Sequence, residues 1–317
     1  MNNKRIASLL LLVFMLFAVF FTVSGAEEET KDLPETAAET DVTTTGETKK
    51  EEGGFFNTFI SLRENGGLVT RSFGEKTAVT FDDGTTGTSY RIPWAPYILT
   101  IVLVCAFSYI MGSINFGVLV SKKMYKDDVR NYGSGNAGMT NVLRVYGKKA
   151  ALLTFLGDVF KSMICALLGQ ILAGNGCGYL AVVFCMIGHA FPVFYRFKGG
   201  KAVASAFGGL FALEPIATVL LLLCFIIIVG FTKYVSLASI ISAALIPLFI
   251  NAMWRVPLFH PMYNFDYFIV ILCSVFCTCF IIWRHKSNIK RLLAGEENKT
   301  HLFDKKKKET DGGASQV

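Results

Sequence analysis

Long apolar segments separated by short polar segments make up most of this chain. Runs of about 20 apolar residues have the length that a helix needs to cross a bilayer. The fourth run is short and rich in glycine, which is compatible with a partial or tilted segment. The pattern predicts an all-α polytopic membrane protein. Its seven predicted transmembrane segments lie at approximately 96–120, 149–173, 178–195, 201–213, 215–231, 235–253 and 266–283.

The first residues of the chain follow a different pattern. Lys4 and Arg5 precede an apolar stretch from about residue 6 to 23, and small residues follow at 24–26. A basic start, an apolar middle and a small-residue end are typical of a secretory signal, so we predict a signal peptide at 1–26. An uncleaved signal anchor is the alternative, because the apolar stretch is long for a signal. Both interpretations place the residues that follow position 26 on the far side of the membrane.

Residues 27–92 form an acidic extension that we predict to be extracytoplasmic and mostly disordered. Its first half is rich in Glu, Thr and Lys, with too few apolar side chains to build a core. Further along, Gly67–Phe73 and Thr77–Phe81 are β-prone, and Asp83-Gly84 is a turn signal. A small hairpin is therefore expected, too small to have a core of its own.

Composition supports the membrane assignment. Hydrophobic residues make up 52% and charged residues 17% of the 317 residues, and the mean hydropathy is +0.47. These values disfavour a soluble multidomain protein. The eight cysteines lie in or beside apolar runs without a Cys-x-x-Cys pair, which favours small buried side chains over a zinc site or a disulfide framework. The sequence contains no basic helix with interleaved aromatic residues, the pattern that would indicate nucleic-acid binding.

The distribution of basic residues predicts the topology. The net charge is +7, although the extension is acidic. If residue 95 is outside, the basic loops 121–148 and 196–200 and the basic tail are inside. Arg255 is then the only lysine or arginine in the predicted outside loops. This arrangement obeys the positive-inside rule. We predict a seven-span membrane domain at 93–304 and a basic, polar cytoplasmic tail at 305–317.

A glycine-rich loop at 133–144 lies on the predicted cytoplasmic side, with the sequence Gly-Ser-Gly-Asn-Ala-Gly-Met-Thr-Asn-Val-Leu-Arg. Glycines allow tight turns that expose backbone N–H groups, and arginine can bind phosphate through two parallel hydrogen bonds. We predict phosphate binding here, with a solvated, turn-rich loop as the alternative. The candidate residues are Gly133, Ser134, Gly135, Asn136, Gly138, Thr140, Asn141 and Arg144.

A second candidate site is Lys198-Gly199-Gly200-Lys201, just before the fourth apolar run. Paired glycines between two lysines suit close approach of the backbone to an anion, and the next helix would add its dipole. The spacing is not that of a Walker A loop. The alternative is a pair of lysines that extend to the membrane edge. Nearby, His189 is more typical of a packed, hydrogen-bonded histidine than of a base.

A third candidate follows the last apolar run. Helical spacing places His285 and Asn288 on one face, whereas Lys290 and Arg291 are expected to point elsewhere. The alternative is a basic juxtamembrane helix that contacts anionic lipid, which would not explain His285 or Asn288.

Two weaker signals lie within the apolar runs. Asp158 and Lys161 have helical spacing and could pair with each other. Ser236 and Ser239 are substrate-binding candidates, although hydrogen bonds to their own helix are the more common use of such serines.

Together these segments resemble the bacterial acyl-phosphate:glycerol-3-phosphate acyltransferases of the PlsY type, over about residues 94–304. The resemblance rests on the loop 133–144, on His-Ala-Phe-Pro-Val-Phe at 189–194, on Phe-Lys-Gly-Gly-Lys at 197–201 and on His-Lys-Ser-Asn-Ile-Lys-Arg-Leu-Leu-Ala-Gly-Glu at 285–296. It implies a multi-pass protein of the bacterial cytoplasmic membrane, with seven spans and a cytoplasmic active site.

The resemblance also implies a reaction. An acyl group passes from acyl phosphate, a co-substrate, to the 1-hydroxyl of glycerol 3-phosphate, which gives lysophosphatidic acid and phosphate in phospholipid biosynthesis. It implies no cofactor, no metal and no acyl-enzyme. Membrane lipid is an expected partner, and a monomer is expected to be functional. The predicted catalytic residues are Ser134, Arg144, Lys201 and His285, and the predicted substrate-binding residues include Lys198, Gly199, Gly200, Ser236, Ser239 and Asn288.

Three positions depart from the pattern of this family. Ala202 replaces a glycine and could crowd the phosphate loop, Asn115 replaces a proline, and Ser205 replaces a threonine. Two other functions are therefore considered. One is a transporter or flippase of a phosphorylated or lipid substrate. The other is a non-catalytic relative in which the extension is the working part.

A reaction scheme follows from the two phosphorylated substrates. Cations and glycine loops would hold both phosphoryl groups, and positioning alone can lower a barrier by about 7–11 kcal/mol. We hypothesise that a phosphate oxygen accepts the hydroxyl proton. His285 is then expected to orient phosphate rather than to act as the base.

Overall fold

Helices account for almost all of the secondary structure in the computed structural model, which describes residues 67–73, 76–80, 86–90, 93–254 and 265–300. The only strands in these ranges are β1 (Lys76–Thr80) and β2 (Thr86–Tyr90), which pair antiparallel. The helices are α1 (Gly67–Phe73), α2 (Trp94–Ser113), α3 (Phe116–Tyr125), α4 (Met139–Tyr146), α5 (Lys148–Ala190), α6 (Val203–Leu213), α7 (Pro215–Thr232), α8 (Val235–Ala244), α9 (Ile246–Trp254), α10 (Phe265–Arg284) and α11 (Lys286–Ala294).

The long helix α5 folds back on itself at Gly174, where φ is +82°. Lys161 Nζ lies 3.0 Å from His189 Nδ1, although 28 positions separate them. In a straight helix that separation would be about 42 Å. The element therefore consists of two antiparallel arms, α5a (148–172) and α5b (175–190).

The membrane segments follow the predicted order. The two arms of α5 correspond to the predicted second and third segments, and α6 corresponds to the fourth, with only 11 residues. Because α6 is so short, seven crossings stay a prediction. Five stretches of the described residues are long and apolar enough to cross a membrane, namely Trp94–Tyr125, Lys148–Tyr195, Pro215–Thr232, Val235–Trp254 and Asp266–Arg284.

Close contacts at glycines bring these helices together. A Cβ added at Gly188 of α5b would lie 2.2 Å from the carbonyl oxygen of Tyr109 in α2. A Cβ added at Gly208 of α6 would lie 2.2 Å from that of Val159 in α5a. Small residues at such crossings let helix backbones approach closely in a membrane protein. The contact at Gly208 places α6, and with it the predicted phosphate loop just before α6, against α5.

A buried ion pair stabilises the break between α2 and α3. Lys161 Nζ donates to the carbonyl oxygens of Gly112 and Ile114, at 3.0 and 2.7 Å, and to Asp158 at 2.7 Å. The predicted pairing of Asp158 with Lys161 is confirmed. On the other side of the break, the side-chain oxygen of Asn115 accepts a hydrogen bond from a backbone N–H in the first turn of α3, so it caps this helix.

The extension outside the membrane domain is only partly as predicted. The hairpin is confirmed, with Lys76 opposite Tyr90, but Gly67–Phe73 is a helix, and its prediction as β-prone is wrong. The reason is tertiary packing, because Val69 is buried beside Tyr97 against the turn of α5. The signal peptide, the acidic segment up to residue 66, the Asp83-Gly84 turn and the tail at 305–317 lie outside the described residues.

Candidate active site

A cavity of about 650 Å³ lies at the end of the bundle where the three candidate segments meet. Five predicted site residues do not line it, namely Gly133, Gly135, Lys198, Gly199 and Gly200. Those that do line it are Ser134, Asn136, Gly138, Thr140, Asn141, Arg144, Lys201, Ser236, Ser239, His285 and Asn288. Every predicted catalytic residue thus lines a single cavity, although the four come from three separate segments of the chain.

Asn141 organises the glycine-rich loop from within. Its side-chain oxygen accepts a hydrogen bond from the Ser134 N–H at 2.9 Å. Its amide nitrogen donates to the carbonyl oxygens of Val129, Tyr132 and Asn136, at 2.9 to 3.1 Å. These bonds use both the oxygen and the nitrogen of the amide, so the Asn141 side chain positions the loop. Substrate binding by the same amide stays a prediction.

Arg130, a further residue that the sequence did not single out, joins the segment just before the glycine-rich loop to the lysine loop, Lys198-Gly199-Gly200-Lys201. Its guanidinium forms a two-point ion pair with Asp128, at 2.9 and 2.7 Å. Another nitrogen of the same group donates to the carbonyl oxygens of Tyr195 and Lys198, both at 3.0 Å. One side chain therefore connects the chain just before the glycine-rich loop to the lysine loop.

The paired glycines of the lysine loop pack against His189 instead of presenting free donors. Gly199 N–H donates to the Ala190 carbonyl oxygen and Gly200 N–H to that of His189. A Cβ at Gly200 would lie 2.0 Å from His189 Nε2, so only glycine fits. These two N–H groups close the end of α5b, and the approach of an anion to this part of the backbone stays a prediction. Lys198 is exposed outside the cavity.

His189 is a packed residue, as predicted. It is 3% exposed, and its Nδ1 lies 3.0 Å from Lys161 Nζ and 3.3 Å from Asp158. This buried cluster supports the floor of the lysine loop.

Ala202, the first departure from the family pattern, lies between Lys201 and α6 in a left-handed conformation with φ +62°. Such a conformation costs a residue with a Cβ about 1–2 kcal/mol. The methyl group is nevertheless buried in the core cluster. Ala202 thus packs in the core and also lines the cavity beside Lys201.

Lys201 is held by α11 across the cavity. Its Nζ donates to the side-chain oxygen of Asn288 at 2.5 Å. Burial lowers the pKa of Lys201 to about 8, while the carboxylate of Glu297 opposes that effect and Arg291 adds to it. The ammonium is therefore poorly solvated and close to other cations, an environment that favours binding of an anion.

Glu297 completes this network and was also not selected from the sequence. Gly295 ends α11 with φ +76°, so the chain turns back. The carboxylate then accepts hydrogen bonds from Asn288 Nδ2 at 2.7 Å, Ser236 Oγ at 2.9 Å and Arg291 Nε at 2.7 Å. The prediction that Arg291 points elsewhere is wrong, because it lines the cavity and pairs with Glu297. The acidic residues after Gly295 were the available signal.

His285 has a defined tautomer. Its Nδ1 lies 2.7 Å from the carbonyl oxygen of Ile281. Since a carbonyl only accepts, Nδ1 carries the proton and the neutral ring presents Nε2 as an acceptor. Burial, followed by the charge of Lys201, lowers the pKa of His285 to about 4, so the ring is neutral near pH 7.

The two serines differ in their hydrogen bonds. Ser239 Oγ donates to the carbonyl oxygen of Val235 in its own helix at 2.9 Å, as the alternative interpretation predicted. Ser236 instead contacts Glu297. Within the described ranges, no group of three or more His, Cys, Asp or Glu side chains could hold a metal ion.

The cavity continues from this polar end into an apolar groove. Its walls are one face each of α6, α7 and α8–α9, with Phe155 of α5a beside them. A cluster of cations at one end and apolar walls at the other suits a ligand with an anionic head and a hydrocarbon chain.

Comparison with known proteins relates this site to one family. A family model described as glycerol-3-phosphate acyltransferase matches residues 102–295. A glycerol-3-phosphate acyltransferase of Finegoldia magna is 40% identical over 203 residues, which cover 64% of this chain and 96% of the relative. One of Burkholderia multivorans is 41% identical over 218 residues, which cover 68% and 97%.

Two solved structures are also similar. Both are crystal structures of PlsY (YgiH), an integral membrane glycerol 3-phosphate acyltransferase. The glycerol 3-phosphate form has a TM-score of 0.57 and 36% identity and covers 63% of this chain and 95% of that one. The lysophosphatidic acid form has a TM-score of 0.55 and 34% identity, with coverages of 63% and 94%.

Proposed function

The chain belongs to the glycerol-3-phosphate acyltransferase family of integral membrane proteins, and from this premise we propose the reaction that it catalyses. It transfers an acyl group from acyl phosphate to the 1-hydroxyl of glycerol 3-phosphate, giving lysophosphatidic acid and inorganic phosphate. The relatives supply the acceptor, since their names specify glycerol 3-phosphate. The acyl-phosphate donor comes from the resemblance of the motifs.

The observation that carries this proposal is the convergence of cations at the mouth of an apolar groove. Lys201, Arg144 and Arg291 line the same cavity, together with the hydroxyl of Ser134. Both substrates carry phosphate, and such charges stabilise phosphoryl groups most strongly where water is partly excluded. The groove beside them then holds the acyl chain.

The chemical step needs no acyl-enzyme in this scheme. The hydroxyl oxygen attacks the carbonyl carbon of acyl phosphate, a new ester bond forms, and the bond from that carbon to the phosphate oxygen breaks. A phosphate oxygen accepts the hydroxyl proton, and phosphate leaves. The scheme uses no metal or cofactor, and the protein contributes position and charge.

For His285 we propose a role other than the orientation of phosphate. In its neutral tautomer, Nε2 has no proton to donate to phosphate. It can instead accept a hydrogen bond from the 2-hydroxyl of glycerol 3-phosphate and so orient the acceptor, which leaves the proton of the attacking 1-hydroxyl for the phosphate oxygen. The low pKa of the ring makes it a weak base, which supports orientation of the hydroxyl rather than removal of its proton.

The placement in the cell is also a proposal. The signal peptide at 1–26 directs the extension at 27–92 to the outside, and the membrane domain at 93–304 crosses the bacterial cytoplasmic membrane seven times. The active site and the tail at 305–317 face the cytoplasm. This arrangement is supported by the excess of basic residues in the loops on that side. The protein acts as a monomer in the lipid bilayer.

Purified protein in lipid, supplied with glycerol 3-phosphate and either acyl phosphate or acyl-CoA, tests the proposal. We expect lysophosphatidic acid from acyl phosphate, with little product from acyl-CoA. Lys201→Met should lower the rate by about 100-fold or more, since it removes a charge that stabilises the transition state. Lys123→Met, at an exposed lysine outside the cavity, is the control. Full activity of Lys201→Met would refute the scheme. If neither acyl phosphate nor acyl-CoA gave product, a non-catalytic relative would be favoured.

A further inference from the structure

The end of the apolar groove farthest from the cations is lined by residues of α6, α7 and α8–α9. On α7, the lining residues are Thr218, Leu221, Leu222 and Phe225, a spacing that places them on one helix face. Because α7 ends at Thr232, close to the Ser236 end of the cavity, Thr218 is the α7 lining residue farthest from the cations.

Two other helices reach the same depth. The lining residue of α6 farthest from Lys201 is Leu210, and that of α8–α9 farthest from Ser236 is Ile246. About ten helical residues separate Ser236 from Ile246, which corresponds to a groove depth of ~15 Å. Leu210 and Ile246 are buried, as is Thr218.

A hydrogen-bonded pair lies below this end. Glu214, the residue before α7, accepts a hydrogen bond from Trp254 Nε1 at 3.0 Å, and both residues are buried. The N–H of Thr218 donates to the Glu214 carbonyl oxygen. The floor of the groove is thus tied to the end of α9, so we expect it to yield little to a longer ligand.

We propose that the side chain at Thr218, with Leu210 and Ile246 beside it, ends the acyl-chain groove and limits the length of the acyl donor. The inference rests on the proposed function, because it takes the acyl chain as the occupant of the groove. The continuity of the groove with the cavity around Lys201 supports that occupant. The phosphate is held at one end, so the terminal methyl group of the chain meets residue 218 at the other.

Size at position 218, rather than its hydroxyl, is the property that matters here. Among the residues that the structure describes, none forms a hydrogen bond with the buried Oγ1 atom of Thr218. Replacement by valine keeps the shape and removes the hydroxyl, so it should leave the preference for chain length unchanged. Leucine adds bulk and alanine removes it. One methylene in an apolar pocket is worth about 10-fold or more in discrimination.

The test measures kcat/KM for a series of saturated acyl phosphates of increasing length, with glycerol 3-phosphate as the acceptor. We expect Thr218→Leu to shift the optimum to shorter chains and Thr218→Ala to shift it to longer ones, each changing the ratio of long to short donors by about 10-fold. Thr218→Val should keep the wild-type ratio of long to short donors, whatever its absolute rate. Val219→Ala, on the exposed face of α7, controls for disturbance of the helix.

The outcomes separate the inference from the proposed function. Product from the wild type with the same length profile in Thr218→Leu and Thr218→Ala would overturn the inference alone and would indicate that the chain leaves the groove sideways into lipid. No product from the wild type with any acyl phosphate would overturn both. If Thr218→Leu does not fold, Thr218→Ala decides, because it must extend the accepted length.

Discussion

The ammonium group of Lys201 donates a hydrogen bond to the side-chain oxygen of Asn288, although 87 positions separate the two residues. Asn288 in turn donates to Glu297 through its amide nitrogen. One amide therefore connects a cation of the lysine loop to a carboxylate after α11. The bridge holds Lys201 at the cavity without neutralising it, since the carboxylate is one residue further away.

Replacement of Asn288 by alanine should lower kcat/KM by at least about 10-fold, because Lys201 and Glu297 both lose a partner that orients them. The variants Asn288→Ala, Lys201→Met and the double variant are compared by steady-state kinetics. The double variant should be little worse than Lys201→Met alone. Ser287→Ala, at an exposed position in the same turn, is the control. Losses that simply add would contradict the coupling.

Activity should depend on pH through Lys201. The cation is the form that binds phosphate, and the pKa of Lys201 in the folded protein is lowered to about 8. The charge is therefore present below pH 8 and is lost as the pH rises through that value. We expect kcat/KM for glycerol 3-phosphate, which reports the free enzyme, to fall above about pH 8.

The matched variant is Lys201→Arg, whose guanidinium stays charged in this range. Its activity is expected to be lower near neutral pH, but the alkaline decline should move to higher pH. An alkaline limb at the same pH in both proteins would show that another group titrates.

Much of this site could be predicted from the sequence, for physical reasons. Apolar runs of sufficient length predict spans, and the parity of the seven predicted spans places the loops that carry Ser134, Lys201 and His285 on the same predicted side. The resemblance adds their roles. What the sequence could not supply is contact between loops. Arg130 appeared only as one basic loop residue, and Glu297 reaches Asn288 only because the chain reverses at Gly295.

The wrong predictions have the same origin. Arg291 was predicted to point away from His285 and Asn288, yet the reversal of the chain at Gly295 brings Glu297 back to pair with it. The β-prone segment Gly67–Phe73 forms a helix because packing at the turn of α5 outweighs local propensity.

Arg130 should be needed for efficient catalysis although it does not line the cavity. Arg130→Ala removes the hydrogen bonds to Tyr195 and Lys198, so the two loops can separate. We expect kcat/KM to fall by about 10-fold or more. Arg130→Lys should recover little, because an ammonium cannot reproduce the fork.

Free guanidinium ion provides a specific readout for Arg130. Added at millimolar concentration, it should partly restore Arg130→Ala by occupying the vacated position between Asp128 and the carbonyls, and it should not restore Lys201→Met. Equal effects on both variants would indicate a general effect of the ion rather than a positioning role for Arg130.

Ala202 should tolerate glycine better than valine. Glycine relieves about 1–2 kcal/mol of strain at φ +62°. Against this, the loss of a buried methyl group destabilises the folded protein by about 0.8 kcal/mol. The greater entropy of the unfolded chain with glycine destabilises it by a further ~0.4–1 kcal/mol. These effects nearly cancel, so Ala202→Gly should change the thermal midpoint by only a few degrees. A β-branched residue fits this region poorly, so Ala202→Val should lower both the midpoint and the activity. Activity that rises strongly in Ala202→Gly would show that the methyl group does crowd the site.

Gly200 and His189 should behave as a coupled pair. A Cβ at position 200 would lie 2.0 Å from His189 Nε2, and the imidazole is held by Lys161, so Gly200→Ala must displace the lysine loop and should abolish most activity. Replacement of His189 by alanine makes room for a Cβ at position 200. The double variant Gly200→Ala with His189→Ala should therefore be more active than Gly200→Ala alone, since the effects of substitutions at contacting residues are not additive. Gly230→Ala, where a Cβ would meet nothing within 4 Å, should be silent. If the double variant is no better than the single one, the backbone of residue 200 rather than its contact with His189 sets the requirement for glycine.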